Sequence, residues 1–268
     1  MHNETLHTRD YLTEFGTNDY LSAYTRFKTI PWFMEHIKGL VRVFVNNSSH
    51  LGNERALEFG GGPTLVSSFV LAQYVQSITF SEYVPNNLKA VNDWINQVDG
   101  AFDWTNVFNF IIEQYHQQTG ITLSLSECEQ RLRTGLQRGG VLRIADVNEQ
   151  SGCSVLDNPD NYNQFDIILS SFCLEDACLT KETYEKTVER LCMLLKPGGF
   201  LVLAHGRNQT FYYVNDKRFF AQYMNEQSAR ETLERLNLIK IQTSAVDRTP
   251  NEYSDSDGYF IACGYKKK

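Results

Sequence analysis

Five short apolar runs, rich in β-branched and aromatic residues, recur along one stretch of the chain: "RALEF" (55–59), "SITFSEY" (77–83), "VLRIADV" (141–147), "FDIILSSF" (165–172) and "GFLVLAHG" (199–206). Runs of this length and composition read as buried strands. Between them lie segments of helical period, at 64–75, at 85–97 with Pro85 in the first turn, and at 181–195. The last places Tyr184, Val188, Leu191, Leu194 and Leu195 on one face and stops at "KPGG", where Pro197 cannot continue a helix and the glycines permit a turn. Strands alternating with helices predict a parallel sheet covered on both faces. The stretch 98–140 is too long for one crossover and is expected to hold helices near 104–118 and 126–137. Two later runs, "IKIQTSAV" (239–246) and "YFIACGY" (259–265), are expected to close the sheet as an antiparallel pair.

The first 54 residues break this pattern. "DYLTEF", "NDYLSAY" and a helix near 30–46 predict a helical lid or extension, crowded with Tyr11, Tyr20 and Tyr24, on a single domain spanning 1–268. A net charge of −7 would repel a nucleic-acid backbone. The six cysteines, among them Cys153 and Cys173, form no C-x-x-C pair, and no metal site is expected. The polar start and the lack of a long apolar run predict no signal peptide and no membrane span, hence a reduced, cytoplasmic protein; a monomer is expected.

"EFGGGPTL" then locates the chemistry. Gly60, Gly61 and Gly62 stand between a first strand and a first helix, where a ligand can approach the backbone and meet the N–H groups of a helix start. The dinucleotide fingerprint G-x-G-x-x-G lacks its third glycine here, since Leu65 occupies that place, which argues against NAD and FAD. Glu82 ends the second strand about 20 residues beyond the last glycine, the place of an acid that accepts from both hydroxyls of a ribose. Asp146 and Val147 end the third strand, where a carboxylate can accept from an adenine amino group and an apolar neighbour can pack on the ring. For Glu82 a solvated strand-end acid, and for Asp146 a turn cap, are about equally good readings one at a time. Together they define one crevice, and adenosine without a pyrophosphate points to S-adenosylmethionine.

"DYLTEFGTNDYLSAYTRF", "EFGGGPT", "FSEYVPNNL", "AFDW", "IADV", "SSFCLEDAC" and "LLKPGGFLVLA" resemble the small-molecule N-methyltransferases that include the nicotinamide, phenylethanolamine and indolethylamine enzymes. The resemblance runs from about residue 9 to 265. It implies a Rossmann-like class I methyltransferase fold with a mostly parallel seven-stranded sheet, S-adenosylmethionine as cofactor and a small-molecule methyl acceptor. It implies cofactor contacts at Tyr11, Tyr20, Gly60, Gly61, Thr64, Glu82, Tyr83, Asn87, Asp146, Val147 and Ser171. A second lid tyrosine belongs at position 25, which is Thr25 here, with Tyr24 beside it. On the acceptor side, Glu175 matches the acid of the amine-methylating members and Asp255 matches another at the final hairpin. His205 stands where nicotinamide-methylating members carry Asp. Glu175 is therefore expected to hold an ammonium acceptor and take its proton, with His205 and Asp255 as further acceptor contacts. Cys173 is read as a small core residue. The alternatives are a non-catalytic protein that keeps the cofactor fold and, with Leu65 against it, a nucleotide-dependent oxidoreductase.

Overall fold

The computed structural model describes residues 4–149, 154–248 and 253–268, so Cys153 lies outside the described residues. Its strands are β1 (Thr5–Leu6), β2 (Arg55–Phe59), β3 (Ser77–Glu82), β4 (Val141–Arg143), β5 (Phe165–Ser171), β6 (Leu195–Arg207), β7 (Phe211–Val214), β8 (Lys217–Phe220), β9 (Ile239–Asp247) and β10 (Gly258–Tyr265). Seven of them form one sheet in the order β4-β3-β2-β5-β6-β10-β9. The first five are parallel; β10 runs antiparallel to both of its neighbours. The seven expected strands are thus all present, in the mixed arrangement their pattern predicts.

Strand order reverses at β2, whose neighbours β3 and β5 lead away on opposite sides. Open α/β sheets bind ligands outside the carboxyl ends of strands at such a switch point. Helices cover both faces. On one side Phe44, Phe69 and Phe108 pack with Trp94 and Trp104, and on the other Tyr184, Val188 and Leu191 pack with Leu201 and Phe260. Full burial of side chains of this size contributes roughly 1.5–3 kcal/mol each. Among the described residues no helix is long and apolar enough to cross a membrane.

Several elements differ from expectation. The helix expected at 64–75 covers only Val66–Leu71. Strand β4 stops at Arg143, and Ile144 N makes a last bond to Glu82 O at 3.0 Å before Asp146 turns the chain by accepting from Asn148 N. A helix at Glu226–Arg235 went unassigned, although Asn225 caps it by accepting from Ser228 N and buries Ala229 and Leu233 four residues apart. The N-terminal segment is also not purely helical. Its helices Tyr11–Glu14, Thr17–Tyr24 and Pro31–Asn47 follow β1, which pairs in parallel with β8 in a second sheet of order β1-β8-β7. The β7–β8 hairpin turns at Asn215, whose φ of 55° suits a tight Asn-Asp turn. Strand β1 covers the hairpin edge that would otherwise be open and fastens the start of the chain beside the carboxyl edge of the main sheet.

Candidate active site

The loop after β2 answers for its glycines mostly through the protein's own side chains. Gly60 has φ of 69°, and a Cβ there would stand 1.9 Å from Cys173 Sγ. A Cβ on Gly61 would stand 2.3 Å from the Phe80 ring. Gly62, with φ of 62°, would meet nothing within 4 Å. Two glycines therefore allow close packing across the switch point, and only the third leaves space beside the backbone. Leu65 is fully buried, so no close ligand approach is made there.

A cavity of about 870 Å³ opens along this edge, lined by the loop, the ends of β2, β3 and β5, and the N-terminal helices. Glu82 Oε2 accepts from Gly62 N at 2.9 Å, and Oε1 accepts from Val84 N at 2.8 Å and Asn87 Nδ2 at 3.2 Å. With a further bond from the Tyr83 backbone, most of the roughly four accepting positions of the carboxylate are engaged by the protein. The expectation that Glu82 alone takes both ribose hydroxyls is too generous for this geometry. Asn87 is itself fixed by Thr17 Oγ1, which donates to its Oδ1 at 2.7 Å, tying the N-terminal helix to the site. Asp146 accepts from Asn148 N and Nδ2 at 2.9 and 2.6 Å, both on Oδ1, so it caps the turn and keeps the capacity of Oδ2. Val147 is buried and, with Tyr83, Ile144 and Ala145, forms the wall near Asp146.

The lid tyrosines line the cavity as well. Tyr20 packs on Phe15 and Tyr24, and Tyr24 stacks on Phe33 with ring centroids 4.7 Å apart. The Tyr24 hydroxyl pairs with Tyr20 and with Thr64, whereas Thr25 is exposed. Tyr24 therefore lines the cavity and Thr25 does not. Tyr11 reaches the opposite wall, its hydroxyl 2.6 Å from that of Tyr212 on β7.

At the end of β5, Ser171 Oγ lies 3.2 Å from Nε2 of His36, a buried histidine whose Nδ1 has no partner. Burial lowers the His36 imidazole to about 4, so it is neutral near pH 7. Phe172 follows with φ of 49°, a conformation rare for an aromatic residue and concentrated at functional sites. The turn Leu174–Ala177 comes next. Glu175 is buried, its Oε2 2.7 Å from His205 Nδ1 and its Oε1 accepting from Gly206 N at 2.9 Å. His205 is fully buried and completes a chain to the Tyr184 hydroxyl at 3.1 Å, behind the cavity wall. Asp255 is not on the wall either. It accepts from Thr210 N at 2.9 Å and Phe211 N at 3.2 Å, because Ser254 and Ser256 take the inward positions of an extended segment. The acceptor contacts expected of His205 and Asp255 are therefore not made available by this geometry. Cys173, its thiol pushed up by burial and then by Glu82, packs against Gly60 but is only half-buried and borders the cavity, so it is not the core residue expected.

Sequence reasoning passed over Glu58, Asp176, His36 and Tyr212. Glu58 stood in plain view before the glycines. The others carry no local signal, since only the fold brings residues of the third helix, β5 and β7 to one cavity. Electrostatics gives them meaning. Carboxylates of Asp19, Glu58, Glu82, Asp146, Glu175 and Asp176 line the cavity, against the guanidinium groups of Arg26 and Arg248. Burial, then the charge of Glu82, pushes Glu58 up to about 8, and burial raises Glu82. Acids held up in this way suit a ligand that brings positive charge. Acceptors at Glu82 and Asp146, space beside Gly62 and an acid-lined middle fit an adenosine carrying a sulfonium.

A switch-point cavity of this build on a sheet of this order defines a class I methyltransferase. The magnesium protoporphyrin IX methyltransferase of Synechocystis, solved with S-adenosylhomocysteine bound, shares the fold at a TM-score of 0.55 and 13% identity, covering 97% of both chains. The profile of the NNMT/PNMT/TEMT family matches residues 3–267, and the chain belongs to that family. Nicotinamide N-methyltransferase of Sus scrofa is 28% identical, over 96% of this chain and 94% of the relative. Indolethylamine N-methyltransferase of Mus musculus is 27% identical, over 93% and 92%. Phenylethanolamine N-methyltransferase of Homo sapiens is 22% identical, over 76% and 68%. The protein is an S-adenosylmethionine-dependent N-methyltransferase.

Proposed function

We propose that this enzyme methylates the nitrogen of a small aromatic amine seated between the lid tyrosines and the turn Leu174–Ala177. One observation carries the reading: the acceptor end of the cavity joins aromatic walls, Tyr11, Tyr20, Trp32, Phe172 and Tyr212, to the acidic pair Glu175 and Asp176. Aromatic faces and a carboxylate are what an aryl-alkyl ammonium needs.

S-adenosylmethionine supplies a methyl group already activated by a positive sulfur. The residues of the chain have three tasks around it. Glu82 and Asp146 Oδ2 hold the adenosine, and Val147 and Tyr83 flank its ring. Gly60, Gly61 and Thr64 shape the loop, and Asn87 and Ser171 fix Glu82 and His36. Tyr11, Tyr20 and Tyr24 close the wall and exclude water, so that a nitrogen lone pair is kept in line at about 3 Å. An ammonium must lose a proton first, and the acidic end supplies the base.

A second reading is a pyridine acceptor such as nicotinamide, favoured by the relative of Sus scrofa and by the neutral His36, which can hydrogen-bond a carboxamide. The test is calorimetric binding of S-adenosylhomocysteine, followed by methyl transfer to an amine and a pyridine panel. The expected result is micromolar or tighter binding and higher kcat/KM on the amines. Cofactor binding with no transfer to either panel would favour a non-catalytic protein.

A further inference from the structure

The acceptor end holds two neighbouring acids, and the fold treats them differently. Glu175 is committed to the protein interior: Oε2 meets His205 Nδ1 at 2.7 Å, Oε1 accepts from Gly206 N at 2.9 Å, and its side chain is 2% exposed. Its partners stand on β6: His205 lies behind the cavity wall, while Gly206, like Glu175 itself, borders the cavity. Asp176 is one residue on and is only partly buried. It lines the cavity and hydrogen-bonds the hydroxyl of Tyr212, which in turn lies 2.6 Å from the Tyr11 hydroxyl.

We propose that Asp176, and not Glu175, is the residue that grips the acceptor's ammonium group and takes its proton, while Glu175 is a positioning residue that fixes the turn through His205 and Gly206. This deepens the function proposed above and rests on it.

The surroundings of Asp176 support the assignment. The titratable groups that face it are Glu175, Tyr11, Tyr20, Tyr212 and Cys173, none of them a cation. The guanidinium groups of Arg26 and Arg248 line the same cavity. Burial and then the Glu175 charge hold Asp176 well above the ordinary carboxylate range. The three tyrosines are held up too, first by burial, so they stay neutral and present hydroxyl dipoles and ring faces. A carboxylate set among tyrosine rings and hydroxyls is complementary to an ammonium from outside. Tyr11 and Tyr212 are steadied from behind, by stacking on Phe15 at 5.5 Å and on Phe219 at 5.6 Å.

The chemistry balances. The ammonium gives one proton to the Asp176 carboxylate and becomes a neutral amine. Its lone pair forms the new N–C bond while the electron pair of the broken C–S bond stays on sulfur. The product leaves as an alkylammonium with the thioether neutral, and the proton on Asp176 passes to solvent. An acid whose proton affinity is raised is better matched to receive that proton than an ordinary surface carboxylate.

Tryptamine and its neutral analogue tryptophol, which differ by ammonium against hydroxyl, test the assignment on the protein loaded with S-adenosylhomocysteine. Wild type is expected to bind tryptamine at least about tenfold more tightly than tryptophol. Asp176→Asn should lose most of that preference and keep its affinity for S-adenosylhomocysteine. Tyr212→Phe, which removes the hydroxyl that orients Asp176, should lose part of it and serves if Asp176→Asn folds poorly. Glu175→Gln should keep the preference. No preference in wild type, a preference that survives in both Asp176→Asn and Tyr212→Phe, or one lost only in Glu175→Gln would overturn the assignment. A wild-type protein that does not bind S-adenosylhomocysteine at all would bring down the proposed function and this assignment with it.

Discussion

Gly62 donates its backbone N–H to Glu82 Oε2 at 2.9 Å, so the one glycine of the loop with open space beside it is tied to the acid that ends the neighbouring strand. Glu82 thus has two roles, shaping the loop and presenting its carboxylate to the cavity. Glu82→Ala would remove both. The expected loss of S-adenosylhomocysteine affinity is at least tenfold, on the scale of about 1.5–3 kcal/mol for a hydrogen bond to a charged group. Calorimetry measures it directly, and circular dichroism should report an intact sheet. Affinity within twofold of wild type would remove Glu82 from the cofactor site.

The glycines separate folding from binding. Gly60→Ala would drive a methyl group into Cys173 Sγ and strain a positive φ, so it should lower Tm sharply. The double variant Gly60→Ala/Cys173→Ala removes the sulfur but keeps a Cβ 2.8 Å away, so it should recover only part of the loss. Gly62→Ala meets no neighbour and carries only the backbone cost, about 1–2 kcal/mol for the left-handed conformation. Its Tm should fall least and its cofactor affinity should suffer most. Equal loss of Tm in the two single variants would contradict this division.

Glu58 makes the stability of the unliganded enzyme depend on pH. Burial raises its folded value to about 8, from 4.5 in the unfolded chain. The folded state therefore binds the proton more tightly, and the contribution from this group is complete below pH 4.5 and is lost as pH rises through about 8. Glu58→Gln keeps the shape and a partner for Ser68 Oγ without the charge. Its Tm should fall less than wild type's between pH 5 and 9, by several degrees, since one pKa unit is about 1.4 kcal/mol. Parallel Tm–pH curves for the two proteins would show that Glu58 titrates normally.

The main sheet was legible in sequence because parallel strands buried on both faces are written as unbroken apolar runs. "ILSS" and "LVLA" could be nothing else in a chain with helical segments between them. The residues expected around the cofactor do meet at one cavity, since loop and strand ends are consecutive residues at fixed places in each strand–helix unit. The acceptor side was not legible in this way. Glu175 and Asp176 are neighbours in sequence, and only the positions of His205 and Gly206 on β6 decide which one turns inward. Asp255 failed for a simpler reason: its segment is extended, and alternation sent Ser254 and Ser256 inward instead. The hairpin β7–β8 was passed over because "FYYVNDKRFF" has too few strand residues on each side of its turn to stand out, and its pairing with Thr5–Leu6 is a contact of residues far apart in the chain.

The buried chain from Tyr184 through His205 to Glu175 yields the last prediction. Its distances are 3.1 and 2.7 Å, and Gly206 N adds a further bond to Glu175 at 2.9 Å. Glu175→Ala would take away the partner of the buried His205 Nδ1 and of the Gly206 N–H. Each orphaned group costs about 1–3 kcal/mol, and Tm falls by roughly 2–4 °C per kcal/mol in a chain of this size. A large drop in Tm is expected. Glu175→Gln keeps an oxygen for Gly206 N and an amide for His205, so it should cost much less. His205→Leu would strand the Glu175 carboxylate with one partner, and a buried charge that loses its partner is destabilising by several kcal/mol. In the double variant Glu175→Gln/His205→Leu the charge is gone, so its loss should be smaller than the sum of the two single losses. Thermal melts of the four variants give the coupling. If Glu175→Ala melted like wild type while its affinity for tryptamine collapsed, Glu175 would be the residue that meets the acceptor, and its bonds to His205 and Gly206 would only orient it.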